Sequence, residues 1–134
     1  MKRRRLHRAT LLAAGVYNII WGGVTTFYPE WFFLVTGMTP PTYPEIFACL
    51  GMVLGLYGLL YIHAAIVPPS GFWIVAIGLT GKILGPVGWL LLYLGDKWPA
   101  SSVLLVLTND IVWWIPFGVY LFDARGERRS KVAE

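Results

Sequence analysis

The chain has 134 residues, of which 57% are hydrophobic and 13% charged, with a formal net charge of +4. Soluble domains carry about 25% charged residues, and with a mean hydropathy of +0.63 water is not the main solvent of this chain. The positive balance is no nucleic-acid footprint, because nine of the eleven basic residues sit at the two ends: Lys2, Arg3, Arg4, Arg5 and Arg8 open the chain, and Arg125, Arg128, Arg129 and Lys131 close it.

Four apolar segments are each about 20 residues or longer, enough to cross a hydrocarbon layer of roughly 30 Å. They fall at residues 9–28, 44–66, 71–95 and 101–122, with basic tails at 1–8 and 123–134. This predicts an all-α fold: a single polytopic domain with four transmembrane helices in an antiparallel bundle. The first segment starts basic, like a signal peptide. It lacks an Ala-x-Ala cleavage site and its apolar run is too long, so it is expected to stay as a helix. Lys97 is the one basic residue in the outer connections, against nine at the ends. That asymmetry predicts that both termini are cytoplasmic, anchored on anionic lipid.

Taken in order, the connections are short. Residues 29–35 are too apolar for water and predict an interfacial turn with Trp31 and Phe32 as lipid anchors. Gly37, Pro40 and Pro41 then break the backbone. Thr42 suits a helix N-cap and Pro44 an early helical position. Residues 67–70, Val-Pro-Pro-Ser, predict a tight turn that makes spans two and three a hairpin.

Small residues mark helix faces. In span three Gly78, Gly81, Gly85 and Gly88 follow a three-four-three rhythm, which keeps one helix face. In span two Ala48, Gly51, Gly55, Gly58, Ile62 and Ala65 do the same. Small residues let membrane helices approach closely. Two arrangements fit: a tightly packed hairpin of spans two and three, or a seam between copies in a homo-oligomer. Span one carries its own stripe, Leu11, Gly15, Asn18, Gly22 and Thr25, expected to face the bundle. Cys49 lies among small residues and reads as packing. A lone cysteine forms no internal disulfide or Cys-x-x-Cys site, and no metal or cofactor is expected.

Span three also holds Lys82 at mid-membrane. On insertion scales a central charge costs about 2.5–3.5 kcal/mol, so it needs a receiver. Lys82 lies 15 residues before Lys97 and Asp110 lies 13 after it. At about 1.5 Å per residue the two α-carbons differ in depth by roughly 3 Å. Asn109 and Asn18 lie at a similar level. Pro86 leaves the Lys82 carbonyl without its helical donor, and Pro116 does the same for Val112. Broken backbone at this depth is tolerated where it is buried in protein or lines a cavity. Trp89, Trp113, Trp114 and Trp21 are the expected aromatic walls. Intramembrane ionisable residues mark functional sites by default, while buried pairs also serve as structural clasps. Both readings stand at this point.

The pattern Tyr17-Asn-x-x-Trp-Gly22, Pro44-Glu, Cys49-Leu-Gly-Met52, Gly81-Lys-x-x-Gly-Pro86 and Thr108-Asn-Asp-x-x-Trp-Trp114 resembles a group of small four-helix bacterial membrane proteins, loosely DoxX-like. The resemblance covers all four spans and implies a bacterial cytoplasmic (inner) membrane. Small multidrug transporters share this size but depend on a glutamate in the first span, where this chain offers Asn18. The sequence supports three functions. The first is non-enzymatic binding of a lipophilic molecule or a membrane-protein partner at the Lys82–Asp110 level. The second is proton-coupled transport, and the third is intramembrane catalysis on a lipid-like substrate.

Overall fold

The structure, a computed structural model, describes residues 3–67 and 71–132, with side chains as far as Gly126. Residues 68–70 of the turn expected at 67–70, Lys2 and the side chains of Arg128, Arg129 and Lys131 lie outside the described residues. The helices are α1 (Arg4–Phe27), α2 (Trp31–Thr36), α3 (Pro44–Ile66), α4 (Gly71–Leu94), α5 (Val103–Val106) and α6 (Val112–Val132). A 3-10 turn, Ala100–Ser102, precedes α5, and a π-helical turn, Leu107–Ile111, joins α5 to α6. Among the described residues there is no strand. Four stretches are long and apolar enough to cross a membrane: Arg4–Phe27, Pro44–Ile66, Gly71–Leu94 and Ala100–Gly126. The all-α class expected from composition is therefore the observed one. The first helix begins at Arg4 rather than residue 9, because nothing in Arg4-Arg-Leu-His-Arg8 breaks a helix and arginine and leucine propagate one well. The last helix continues past 122 for the same reason.

The closest contact in the bundle is α1 on α3, backbone against backbone. A Cβ placed on Gly22 would lie 2.5 Å from the Gly51 carbonyl oxygen, and one on Gly58 would lie 2.6 Å from that of Gly15. The small-residue face of span two thus belongs to α1, not to α4 as the hairpin reading expected. The cause is the stripe on α1: Gly15, Gly22 and Thr25 are all buried and offer the matching flat surface.

The glycines of α4 serve another purpose. Gly71 makes room for the Tyr120 hydroxyl from α6, and Gly78 for the Tyr61 ring from α3. Gly85 faces the Asp110 carboxylate. Gly81 and Gly88, expected in a packing seam, meet nothing within 4 Å. That expectation is corrected: bulky rings from α3 and α6 hold α4 off, so its backbone never reaches a neighbour's at these positions.

A core of Leu11, Ala14, Tyr61, Ala64, Val75 and Phe117 fills the half of the bundle nearer the termini. At that end the buried His7 meets Asp123, Nε2 to Oδ2 2.7 Å, with Arg3 Nη1 3.9 Å from the same oxygen. The His7 ring also stands edge-on to Tyr120. This contact fastens the start of α1 to α6.

The opposite end is closed by aromatic rings. Phe32 is buried against Phe33, Phe47 and Trp98. Trp31 contacts Trp21 edge-on and donates Nε1–H to Thr25 Oγ1 at 3.1 Å. Phe32 is therefore not the lipid anchor expected of it, while Trp31 is half-buried with its N–H turned inward. In a six-residue helix Phe32 and Thr36 share one face, and that face docks inward, leaving Leu34 and Val35 exposed. Gly37 ends α2 in the left-handed region at φ 73, a conformation that glycine adopts without Cβ strain. Ser101 Oγ–H donates to the Thr36 carbonyl at 2.6 Å, tying this cap to the start of the last long helix. The N-cap of α3 is Tyr43, without a side-chain cap bond; Thr42 does not fill that role, while Pro44 stands at the first helical position as expected. Cys49 is exposed rather than packed.

Candidate functional site at the middle of the bundle

Lys82 and Asp110 are both buried, 5% and 8% exposed respectively. Lys82 projects from α4 and Asp110 from the π-helical turn beside it. The turn is real in its bonding: Val112 N–H donates to the Leu107 carbonyl, five residues back. Such turns widen a helix and shift its donors and acceptors out of register, and they occur often at functional sites.

The consequence is on Lys82. Its Nζ donates to the backbone carbonyl of Asn109 at 2.5 Å, within the π-helical turn. It also stands 5.9 Å from the centroid of the Trp113 ring, a distance at which a cation gains about 0.5–2 kcal/mol from an indole face. Asn109 Nδ2 in turn donates to Asp110 Oδ1 at 3.1 Å. So Asn109 mediates between the two charges, its carbonyl taking the ammonium and its amide the carboxylate. Among the described residues Lys82 and Asp110 make no direct pair within 4.0 Å.

Pro86 cannot donate to the Lys82 carbonyl, and Trp114 Nε1–H fills that place at 2.8 Å. A broken helical bond in α4 is thus replaced by a side chain of α6. Asp110 Oδ2 lies over Gly85, close enough that a Cβ there would be 2.7 Å away. The carboxylate needs glycine beneath it.

Of the residues expected at this level, the structure brings together Lys82, Asn109, Asp110, Trp113 and Trp114. Asn18 is buried, and its Oδ1 has no hydrogen-bond partner; the Nε1 of Trp113 is likewise buried and unpaired. Lys82 turns to the Asn109 carbonyl rather than to Asn18. Two tryptophans belong elsewhere. Trp89 stacks on Tyr93 at 5.2 Å and donates to Ser102 Oγ at 2.9 Å. Seven residues keep it on the face of Lys82 but about 10 Å away along the helix. Trp21 contacts Trp31 and Phe47 in the aromatic cap. A separate cleft of about 710 Å³ lies at that end, lined by residues including Phe33, Met38, Tyr93, Asp96, Lys97 and Trp98, and touches neither Lys82 nor Asp110.

Lysine has three N–H donors and a carboxylate about four acceptor sites. One donor and one oxygen are engaged, so each group keeps capacity for a guest. Sequence reasoning missed the Asn109 carbonyl as receiver because a π-helical turn has no strong residue signature. It also missed His7, which lies four residues before Leu11 and extends the buried stripe of α1 by one turn. Extending that period would have found it. No protein-family model, curated protein or solved structure matches this chain, so the function must be argued from the site.

Proposed function

We propose that this chain is a non-catalytic integral membrane protein that binds a lipophilic molecule with a polar group, held by Lys82 and Asp110. One observation carries the reading: two buried charges share one level yet are bridged by Asn109 instead of neutralising each other directly. A clasp would be expected to close the pair. Here the carboxylate keeps one oxygen without a donor among the described residues. Catalysis would require a further titratable group poised on a substrate; Tyr17, in ring contact with Trp113, and Tyr61 are the nearby titratable groups, and among the described residues neither hydrogen-bonds Lys82 or Asp110.

The setting we propose is a bacterial cytoplasmic membrane, as the loosely DoxX-like motif pattern implies. The helices run antiparallel, with both termini cytoplasmic. The terminal basic residues favour that orientation. The contacts of Gly15 with Gly58 and of Gly22 with Gly51 favour opposed directions for α1 and α3.

Native mass spectrometry of the protein released from nanodiscs tests the binding role. The wild type is expected to carry a discrete co-purifying mass that is lost in both Lys82→Met and Asp110→Asn, while the helical signal and oligomeric state persist. A wild type that carries only bulk lipid, indistinguishable from the two variants, overturns the reading.

A further inference from the structure

The glycine face of α4 changes character along its length. Gly71, Gly78, Gly81, Gly85 and Gly88 fall within an arc of about 100° on the helix, at 100° per residue. Tyr120 covers the first and Tyr61 the second. Past these rings the face empties: a Cβ on Gly81 or Gly88 would touch nothing within 4 Å. Among the described residues, the group over Gly85 is the Asp110 carboxylate. Asp110 is 8% exposed, and its Oδ1 is held by Asn109 while Oδ2 has no donor. Oδ2 is absent from the fully enclosed unpaired atoms, which are Asn18 Oδ1, Trp113 Nε1 and Tyr120 OH. A buried acceptor therefore lies over an open trough on the α4 glycine face, beside Ile77 and Leu84, both exposed apolar residues.

We propose that this trough is a lateral access route from the bilayer to Asp110, and that its occupant is a membrane-dissolved amphiphile with an uncharged hydroxyl head. The proposal deepens the binding role argued above and rests on it. From Gly81 to Gly88 the trough runs about 10 Å, room for the first part of an acyl chain lying along the helix. The head is chosen by charge. Lys82 and Asp110 together are neutral, so a neutral donor to Oδ2 leaves the site neutral. An ammonium or carboxylate head would add a net charge at mid-membrane, which costs about 2.5–3.5 kcal/mol on insertion scales. A hydroxyl supplies the missing hydrogen bond without that cost.

Carbodiimide labelling of the protein in nanodiscs reads the route without knowledge of the natural guest. Lipid-soluble dicyclohexylcarbodiimide is expected to form an acylurea on Asp110, located by peptide mass mapping. The water-soluble carbodiimide EDC is expected to leave it unlabelled. Gly81→Leu and Gly88→Leu, each filling empty space, should abolish labelling while retaining the parent's melting temperature. Ile83→Phe, on the opposite face, should label like the parent. Dodecan-1-ol should protect Asp110, and dodecyltrimethylammonium should not. Labelling by EDC as fast as by the lipid-soluble reagent would show that water reaches the carboxylate, and would overturn lateral access while leaving the site itself in place. Undiminished labelling in both leucine variants, or none by either reagent, overturns the trough. Equal protection by the ammonium amphiphile overturns the hydroxyl assignment. Failure of the binding role is read separately, by loss of the co-purifying mass distinction between wild type and variants.

Discussion

The two helix contacts that hold this bundle use opposite means. Between α1 and α3, peptide backbones meet through Gly15, Gly22, Gly51 and Gly58, with Ile19, Thr25 and Ile62 packed alongside. Between α4 and the π-helical turn with α6, the contact is made by side chains: Lys82 on the Asn109 carbonyl, Trp114 on the Lys82 carbonyl, Tyr120 over Gly71. Glycine is common to both, but its job differs. In the first pair it removes bulk so that helices touch. In the second it makes a place for a ring or a carboxylate, or stands beside empty space. The second contact retains a carboxylate oxygen and lysine protons, so function is sought there.

The largest expected effect lies in the backbone contact. Overpacking a well-packed core costs typically about 1–3 kcal/mol and occasionally more, and backbone, unlike a side chain, cannot rotate away. Gly22→Leu should therefore abolish the folded state in detergent, and Gly22→Ala should lower the melting temperature clearly, because even a methyl would meet Gly51 O at 2.5 Å and Gly55 N at 2.6 Å. A Gly22→Ala protein that melts like the parent would mean that α1 and α3 are farther apart than described.

Next comes the charged level. Losing a hydrogen bond to a charged group costs about 1.5–3 kcal/mol, so Lys82→Met and Asp110→Asn should each destabilise by that order. A directly paired ion set loses about 3–5 kcal/mol when one member is removed, and the double change then recovers most of it. Here Asn109 stands between the charges, so a double-mutant cycle should give a smaller coupling, about 0.5–1 kcal/mol. Full rescue in the double mutant would reveal a direct pair and remove the spare capacity on which the binding role depends. No coupling would mean that Asn109 does not connect the two.

The third effect isolates one hydrogen bond. Trp114→Phe leaves the Lys82 carbonyl without a donor and should cost about 1 kcal/mol, the usual value of a net hydrogen bond. Pro86→Ala restores an N–H four residues on, able to close the helical bond itself. In that background the cost of Trp114→Phe should shrink. Equal cost in both backgrounds would show that Trp114 stabilises by packing alone.

How much of this was legible beforehand follows from which interactions are local. Helix existence and length came from apolar runs, which need no tertiary knowledge. The shared depth of Lys82 and Asp110 came from counting residues on either side of Lys97. The freed carbonyl of Lys82 came from the missing N–H of Pro86. Each is a property of one helix or of two joined by a short turn. Rotation about the helix axis and choice of neighbour are not local. Gly51 and Gly58 read equally well against α1 or α4, and only the rings of Tyr61 and Tyr120 on α4 decide it. Trp89 shared a face with Lys82 but not its depth. Asn109 became the mediator through a π-helical turn, which changes the register by one residue and leaves no mark that a periodic reading detects.

The smallest effect is also the one whose sign separates the two contacts. In a helix interior, glycine is less favourable than alanine by roughly 0.5–1 kcal/mol, because it loses more freedom on ordering. Where a methyl has room, Gly→Ala should return that amount. Gly81 and Gly88 have room on all sides, so Gly81→Ala and Gly88→Ala should each raise the melting temperature slightly. The same change at Gly22 or Gly58 should lower it, since there the methyl meets backbone. One substitution type thus yields opposite signs on two faces, and a propensity argument alone would give the same sign everywhere. Destabilisation at Gly81 or Gly88 has a specific meaning: something presses on that face in the membrane. Analytical ultracentrifugation of the alanine variants would then distinguish a second copy, seen as loss of a dimer, from a bound amphiphile, seen as loss of protection at Asp110 with the monomer unchanged.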